Sequence, residues 1–227
     1  MFYMQELFID SVTHKFNQQT VLNGVFINCR IGEIVGLLGR NGSGKSTLLK
    51  IIFGSTKADF KFQKINEKII SKGYLSQEIS YLPQDNFIPN NINLKQAIDI
   101  FCKEHRENLL KIKFVNDNLQ TKFKTFSGGE SRFLECLLMI YSDAKFVLLD
   151  EPFSQMAPLL VDELKLHINF AKQLKGFIIT DHYYSSILDV ADRIVLLHNG
   201  CNYKIETVDD LILHGYLPKI KTDYKIS

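Results

Sequence analysis

Residues 39–47 read Gly39-Arg40-Asn41-Gly42-Ser43-Gly44-Lys45-Ser46-Thr47. They stand between the apolar run Glu33-Ile34-Val35-Gly36-Leu37-Leu38 and the helix-like Leu48-Leu49-Lys50-Ile51-Ile52-Phe53. Gly39, Gly44, Lys45 and Ser46 fill the spacing G-x-x-x-x-G-K-[ST], and a strand before with a helix after is the context that gives this spacing meaning. Glycines without a Cβ let successive backbone N–H groups face phosphate oxygens, and the following helix adds its unpaired N-terminal donors and positive dipole end. The stretch is expected to be a phosphate cradle, with Lys45 reaching the β- and γ-phosphates of a nucleotide and Ser46 ligating magnesium.

Around this stretch, 227 residues suffice for one large domain with a proper core. Hydrophobic residues at 45%, charged residues at 23% and a net charge of +2 exclude a global bias toward nucleic acid or a membrane surface. The longest apolar runs, Leu137 to Ile140 and Phe146 to Leu149, fall far short of the roughly 18 residues a membrane span needs. Membrane work is therefore assigned to a partner chain. The opening MFYMQELFID carries acidic residues and no basic lead into an apolar core, so no secretion signal is read there. Cys29, Cys102, Cys136 and Cys201 are scattered without CxxC or zinc spacing and read as free thiols in a reducing cytoplasm.

Before the cradle, Leu7-Phe8-Ile9 and Val21 to Asn28 read as antiparallel strands joined by the turn Phe16-Asn17-Gln18-Gln19. Phe16 either stacks on an adenine ring or packs as a hairpin phenylalanine. Between Phe53 and Ile79 short strands around turns are expected. Ile79 to Pro83 is a strand that delivers Gln84 to a loop, where its amide either meets a metal-bound water or faces solvent. Leu94 to Phe101 and Asn108 to Val115 carry apolar residues at three- and four-residue spacing and predict two short helices. Lys122-Phe123-Lys124 is too short and isolated for a nucleic-acid patch and is expected on the solvated surface.

Ser127-Gly128-Gly129-Glu130 opens a strongly apolar helix. Two readings stand side by side. Ser127 and Glu130 have the spacing of a capping box. The paired glycines would also bare backbone N–H groups at a helix N-terminus and make a second anion site. Lys145 to Leu149 is a buried strand pattern ending in Asp150, Glu151 and Pro152. Asp150 is placed to hold the magnesium of the cradle, and Glu151 to orient an attacking water; the alternative is a pair of solvated strand-end acids. Leu159 to Leu174 predicts an amphipathic helix. Gly176 to Asp181 predicts another buried strand, which puts His182 on the same sheet edge as the carboxylates. Ile194 to Leu197, a turn at Asn199-Gly200 and Tyr203 to Ile205 predict a closing hairpin, followed by a short helix from Val208 to Leu213 and a polar tail.

Taken together these residues resemble the nucleotide-binding domain of ATP-binding cassette (ABC) proteins, in the family's order over nearly the whole chain. Phe16 stands at the adenine-stacking aromatic, Gly39 to Thr47 at the Walker A loop and Gln84 at the glutamine loop. Ser127 to Glu130 matches the signature motif, with Phe126 replacing the usual leucine before it. Asp150 and Glu151 match the Walker B aspartate and catalytic glutamate, and His182 the switch histidine. The segments EPFS and ITDH resemble ATPases of lipopolysaccharide export and branched-chain amino acid uptake. In one departure, Phe153-Ser154-Gln155-Met156-Ala157-Pro158 puts Ala157 where the family has an aspartate that helps couple two sites of a dimer.

The resemblance implies an α/β fold, with a P-loop NTPase core on a RecA-like parallel sheet, an N-terminal antiparallel β subdomain and a small helical insert. One domain over 1–227 is expected, with the helical subdomain at about 86–143. It implies ATP and Mg2+ as cofactors, with Ser46, Gln84 and Asp150 around the metal and Glu151, His182, Gln84 and Lys45 as the catalytic set. It also implies a homodimer or heterodimer in which Ser127, Gly128, Gly129 and Glu130 act on the ATP of the partner subunit. Two functions follow as alternatives. One is the ATPase of a membrane transporter, peripheral at the cytoplasmic face and bound to a separate membrane-spanning permease chain. The other is a soluble ATP-gated clamp or assembly factor, similar to the ABC ATPase of iron-sulfur cluster assembly, favoured by the altered loop at Ala157 and a short helical insert. No direct nucleic-acid binding is expected from either.

Overall fold

The computed structural model describes residues 5–182 and 184–218. Residues 219–227 of the polar tail and the first four residues of the opening segment lie outside them. The long first hairpin is built by β1 (Glu6–Phe16) and β2 (Gln19–Arg30), paired antiparallel from Glu6 with Arg30 to Phe16 with Gln19. Both strands run further than the apolar alternation alone suggests. Asn17 and Gln18, with φ of 47° and 69°, form the two-residue loop whose twist matches the strands it joins. β4 (Phe60–Ile65) pairs with β1, and β5 (Lys68–Ile69) with β4, so the segment after Phe53 completes a four-stranded antiparallel sheet ordered β2-β1-β4-β5.

The second sheet has six strands in the order β10-β9-β3-β8-β7-β6. These are β3 (Ile34–Leu38), β6 (Ile79–Leu82), β7 (Phe146–Asp150), β8 (Gly176–Thr180), β9 (Arg193–His198) and β10 (Cys201–Ile205). All pairings are parallel except β9 with β10, which close as a hairpin through Asn199-Gly200. In β3, β7 and β8 every residue is buried, as expected of parallel strands covered on both faces.

Alternate residues of these strands feed two cores. On one face Val35, Leu37, Leu148 and Ile178 pack with α1 (Lys45–Phe53) and the inward side of the antiparallel sheet. On the other, Val147, Leu149, Phe177 and Ile179 pack with α5 (Gly128–Ile140) and α6 (Pro158–Ala171). Between β6 and β7 the chain makes α2 (Leu94–Phe101), α3 (Arg106–Leu110), α4 (Lys113–Asp117) and then α5. The chain continues after β8 with α7 (Tyr184–Leu188), which the sequence did not announce, and ends its described part with α8 (Val208–Leu213).

Three expectations change. The single helix over Asn108 to Val115 is broken into α3 and α4, because Ile112 takes extended backbone (φ −77°, ψ 114°) and packs against the second core. The amphipathic helix stops at Ala171 instead of Leu174; Leu174 N–H turns to the Ala171 carbonyl. Of Lys122-Phe123-Lys124 only the lysines are exposed, while Phe123 is buried edge-on against Phe126.

Candidate functional site

Parallel strands present their C-terminal ends at one edge, and here that edge gathers the chemistry. β3 ends into Gly39, β7 at Asp150, β8 two residues before His182, and β6 two residues before Gln84. The cleft above them has a volume of about 490 Å³. Asn41 to Thr47, Gln84, Glu151 and His182 line it, and Phe16, Val21 and His14 reach it from the first hairpin. Phe16 is two-thirds exposed, so its ring face is open to a ligand, which a packed hairpin phenylalanine would not be.

The loop itself folds as its glycines allow. Gly44 caps α1 with φ of 100°, a conformation costly for any residue with a Cβ, and the Leu48 N–H donates back to its carbonyl. Lys45 Nζ is drawn onto the loop's own carbonyls, 2.7 Å from Gly39 O and 3.3 Å from Arg40 O. Burial pulls its pKa down, against the opposing pull of Glu151, Asp150 and Asp181.

Asp150 is fully buried at the end of β7. Ser46 Oγ donates to its Oδ1 at 3.0 Å and Tyr81 Oη to its Oδ2 at 3.1 Å. Burial raises the Asp150 pKa, and those two hydroxyls resist the rise. One residue on, Glu151 adopts a positive φ of 53°. Its carboxylate lies 2.7 Å from His182 Nε2 and accepts from Gln84 Nε2 at 3.0 Å. Burial raises its pKa too, and His182 opposes this. Gln84, expected beside the metal, thus aims its amide nitrogen at Glu151.

Among the described residues no cluster of three or more His, Cys, Asp or Glu suited to a metal is formed. Magnesium keeps waters and uses one or two carboxylates plus substrate phosphates. The half-buried Ser46 hydroxyl and the buried Asp150 carboxylate are hard oxygen donors at the phosphate loop, and they fit such an ion.

Ser127 to Glu130 stands apart from the cleft, lining none of it. The capping box is formed: Glu130 N–H donates to Ser127 Oγ, and Ser127 N–H and Oγ donate to Glu130 Oε2 at 2.8 and 2.7 Å. Gly128 faces open space, so the anion reading is compatible with the cap. Gly129 does not: a Cβ there would stand 2.8 Å from the Gln155 carbonyl, so only glycine lets the loop after Glu151 approach α5. Phe126 joins an aromatic group with Phe114 and Phe123.

Two charged residues escaped the sequence reading. Arg132 and Glu135 are almost wholly buried on α5, and Arg132 donates to the Pro83, Asp150 and Glu151 carbonyls. Their signal was there: two opposite charges three residues apart within the apolar part of the helix, among Phe133, Leu134, Cys136 and Leu137.

A glycine-rich loop between a buried parallel strand and a helix, with a strand-end carboxylate bonded to its serine, defines a P-loop nucleotide-binding protein. The family model described as ABC transporter matches residues 22–154. The chain belongs to the ABC transporter family. It is 30% identical to an uncharacterized ABC transporter ATP-binding protein of Rhizobium meliloti (strain 1021), over 97% of this chain and 84% of that one. It is also 30% identical to the lipopolysaccharide export system ATP-binding protein LptB of Escherichia coli (strain K12), over 97% and 94%. A solved ATP-binding subunit of an ABC transporter superposes with a TM-score of 0.80, covering 93% of each chain; at 24% identity this likeness speaks for the fold. No helix among the described residues is long and apolar enough to cross a membrane.

Proposed function

We propose that this chain hydrolyses ATP as the motor subunit of a membrane transporter, working as a pair of such domains with the spanning segments on another polypeptide. The observation that carries this reading is the separation of two half-sites. The cleft is lined by Asn41 to Thr47, Glu151, His182 and Gln84, with Asp150 buried behind Ser46, while Ser127 to Glu130 offers an open helix N-terminus outside it. Two copies facing each other would bring the helix end of one to the phosphates in the other.

In this reading Phe16 stacks on adenine. Gly39 to Thr47 cradle the phosphates, and Lys45 leaves its loop carbonyls for the β- and γ-phosphates, whose charge better repays its burial. Ser46 and Asp150, with Gln84 beside them, would hold magnesium, which neutralises phosphate charge when bound. Glu151 polarises the attacking water, His182 and Lys45 stabilise charge on the transferring phosphoryl group, and Gln84 orients the Glu151 carboxylate it already touches. Residues 86–143 act as the helical insert. Between that insert and β6 runs an apolar cleft of about 400 Å³, including Phe53, Tyr74, Tyr81, Phe87, Phe101 and Met139, which favours a docking partner over an isolated enzyme.

The test is magnesium-ATP binding and phosphate release by wild type and Lys45→Ala, with purification from native membranes. Loss of binding in the variant and a co-purifying polytopic membrane protein support the reading. Unchanged affinity in Lys45→Ala removes the cradle from it, and soluble partners alone replace transport by the clamp.

A further inference from the structure

The pair Arg132 and Glu135 sits on α5 just beyond the Ser127–Glu130 cap, with side chains 3% and 1% exposed. Neither touches the nucleotide cleft. Arg132 Nη1 donates to Pro83 O at 2.7 Å, and Nη2 to Asp150 O at 2.6 Å and Glu151 O at 3.1 Å. Glu135 Oε1 accepts from the N–H groups of Phe87 and Ile88 at 2.8 and 3.0 Å. The Gln84 loop is therefore gripped on both sides, at Pro83 by the arginine and at Phe87-Ile88 by the glutamate. Glu151 is gripped at its carbonyl, where its left-handed backbone needs holding.

The two charges hardly serve each other. Arg132 Nη1 and Glu135 Oε2 are 3.9 Å apart, and Arg132 Nε and Glu135 Oε2 have no hydrogen-bond partner. A buried ion pair is also a poor source of stability, since apolar residues of similar volume commonly fold as well. What this pair does that an apolar pair could not is bond directionally to two separate backbone segments from one rigid helix.

We propose that Arg132 and Glu135 are positioning residues that hold Gln84 and Glu151 in register with α5, so that a shift at the Ser127 end of the helix is felt at the water-polarising carboxylate. The path is contiguous: Gly129 lies under Gln155 at the helix start, and the pair then links α5 to both strand ends. This rests on the ATP-hydrolysing reading above.

The experiment compares wild type, Arg132→Met/Glu135→Leu and Arg132→Lys. The double variant keeps an apolar interior and is expected to melt near wild type and bind magnesium-ATP within about twofold. Its kcat should fall at least tenfold with KM unchanged. Arg132→Lys, with its charge but no fork to span Pro83 and Asp150, should fall in between. A double-variant kcat within twofold of wild type overturns the proposal, and so does a kcat lost together with ATP affinity.

Amide exchange at Phe87 and Ile88 reads the link without turnover. ATP should change it in wild type and not in the double variant; a change that persists in the variant, or is absent in a wild type that binds ATP, overturns the link. If wild type binds ATP without hydrolysing it, the hydrolytic reading fails and the exchange result alone decides the coupling.

Discussion

The Asp150 carboxylate supports a quantitative test through Tyr81→Phe. In the folded chain each carboxylate oxygen receives one hydroxyl hydrogen bond, Oδ1 from Ser46 and Oδ2 from Tyr81, and the group has no access to solvent. Removing the Tyr81 hydroxyl leaves the ring packing with Phe53 in place and takes away one of these two donors. A hydrogen bond to a buried charged group contributes about 1.5–3 kcal/mol. For a chain of this size each 1 kcal/mol moves Tm by roughly 2–4 °C, so nucleotide-free Tyr81→Phe should melt about 3–12 °C below wild type. A double-mutant cycle with Asp150→Asn isolates the charge: with a neutral acceptor the same substitution should cost less than about 1 kcal/mol. Calorimetry or urea titration of the four proteins gives the answer. A Tyr81→Phe melting point within 1 °C of wild type, or an equal cost in the Asp150→Asn background, would refute the idea that this hydroxyl solvates the carboxylate.

Three further outcomes are expected. Glu151→Gln keeps ATP affinity and loses about 10²–10⁴-fold in hydrolysis, with an ATP-dependent dimer that persists in light scattering; turnover at the wild-type rate makes Glu151 a spectator. Ala157 is the N-cap of α6 and lacks a capping side chain, so Ala157→Asp should stabilise the chain by about 1 kcal/mol in urea unfolding besides raising the rate or cooperativity of hydrolysis; no change in either rejects both roles. Lys175, buried against the Ser142 and Ala144 carbonyls, has its pKa lowered from 10.5 to about 8. Between those values the unfolded chain holds a proton that the folded chain has released, so the Lys175 contribution to stability rises with pH. The stability of wild type relative to Lys175→Met should therefore increase from pH 7.5 to pH 9.5, and a flat difference contradicts it.

What the sequence made legible was local. The phosphate loop is set by glycine spacing within nine residues, and β7 announces Asp150 and Glu151 by its own apolar run. The hairpin turns at Asn17-Gln18 and Asn199-Gly200 follow from residues that tolerate positive φ. What stayed hidden depends on partners far along the chain. Tyr81 reads as an ordinary strand residue until β6 lies beside β7 and its hydroxyl meets Asp150. The break at Ile112 is decided by a core its own periodicity does not describe. Lys45 folds onto Gly39 and Arg40, and Gln84 turns toward Glu151, because side-chain direction follows the charges around it. Ser127 and Glu130 show a different limit: one spacing forms the cap seen here and is equally what an anion site would carry, so pattern alone does not separate the two readings.

The position of β8 in the sheet has a consequence for how the protein is made. β8 lies between β3 and β7, so the strand carrying the phosphate loop and the strand carrying Asp150 are not neighbours until residues 176–180 have been inserted between them. While the ribosome is still adding those residues, β6 and β7 can pair with each other, but β3 and β7 each offer a bare apolar edge. The Ser46 to Asp150 contact spans that gap and must wait for the late strand. Nucleotide can thus stabilise the finished chain by mass action, whereas the growing one must reach its first parallel pairings without ligand.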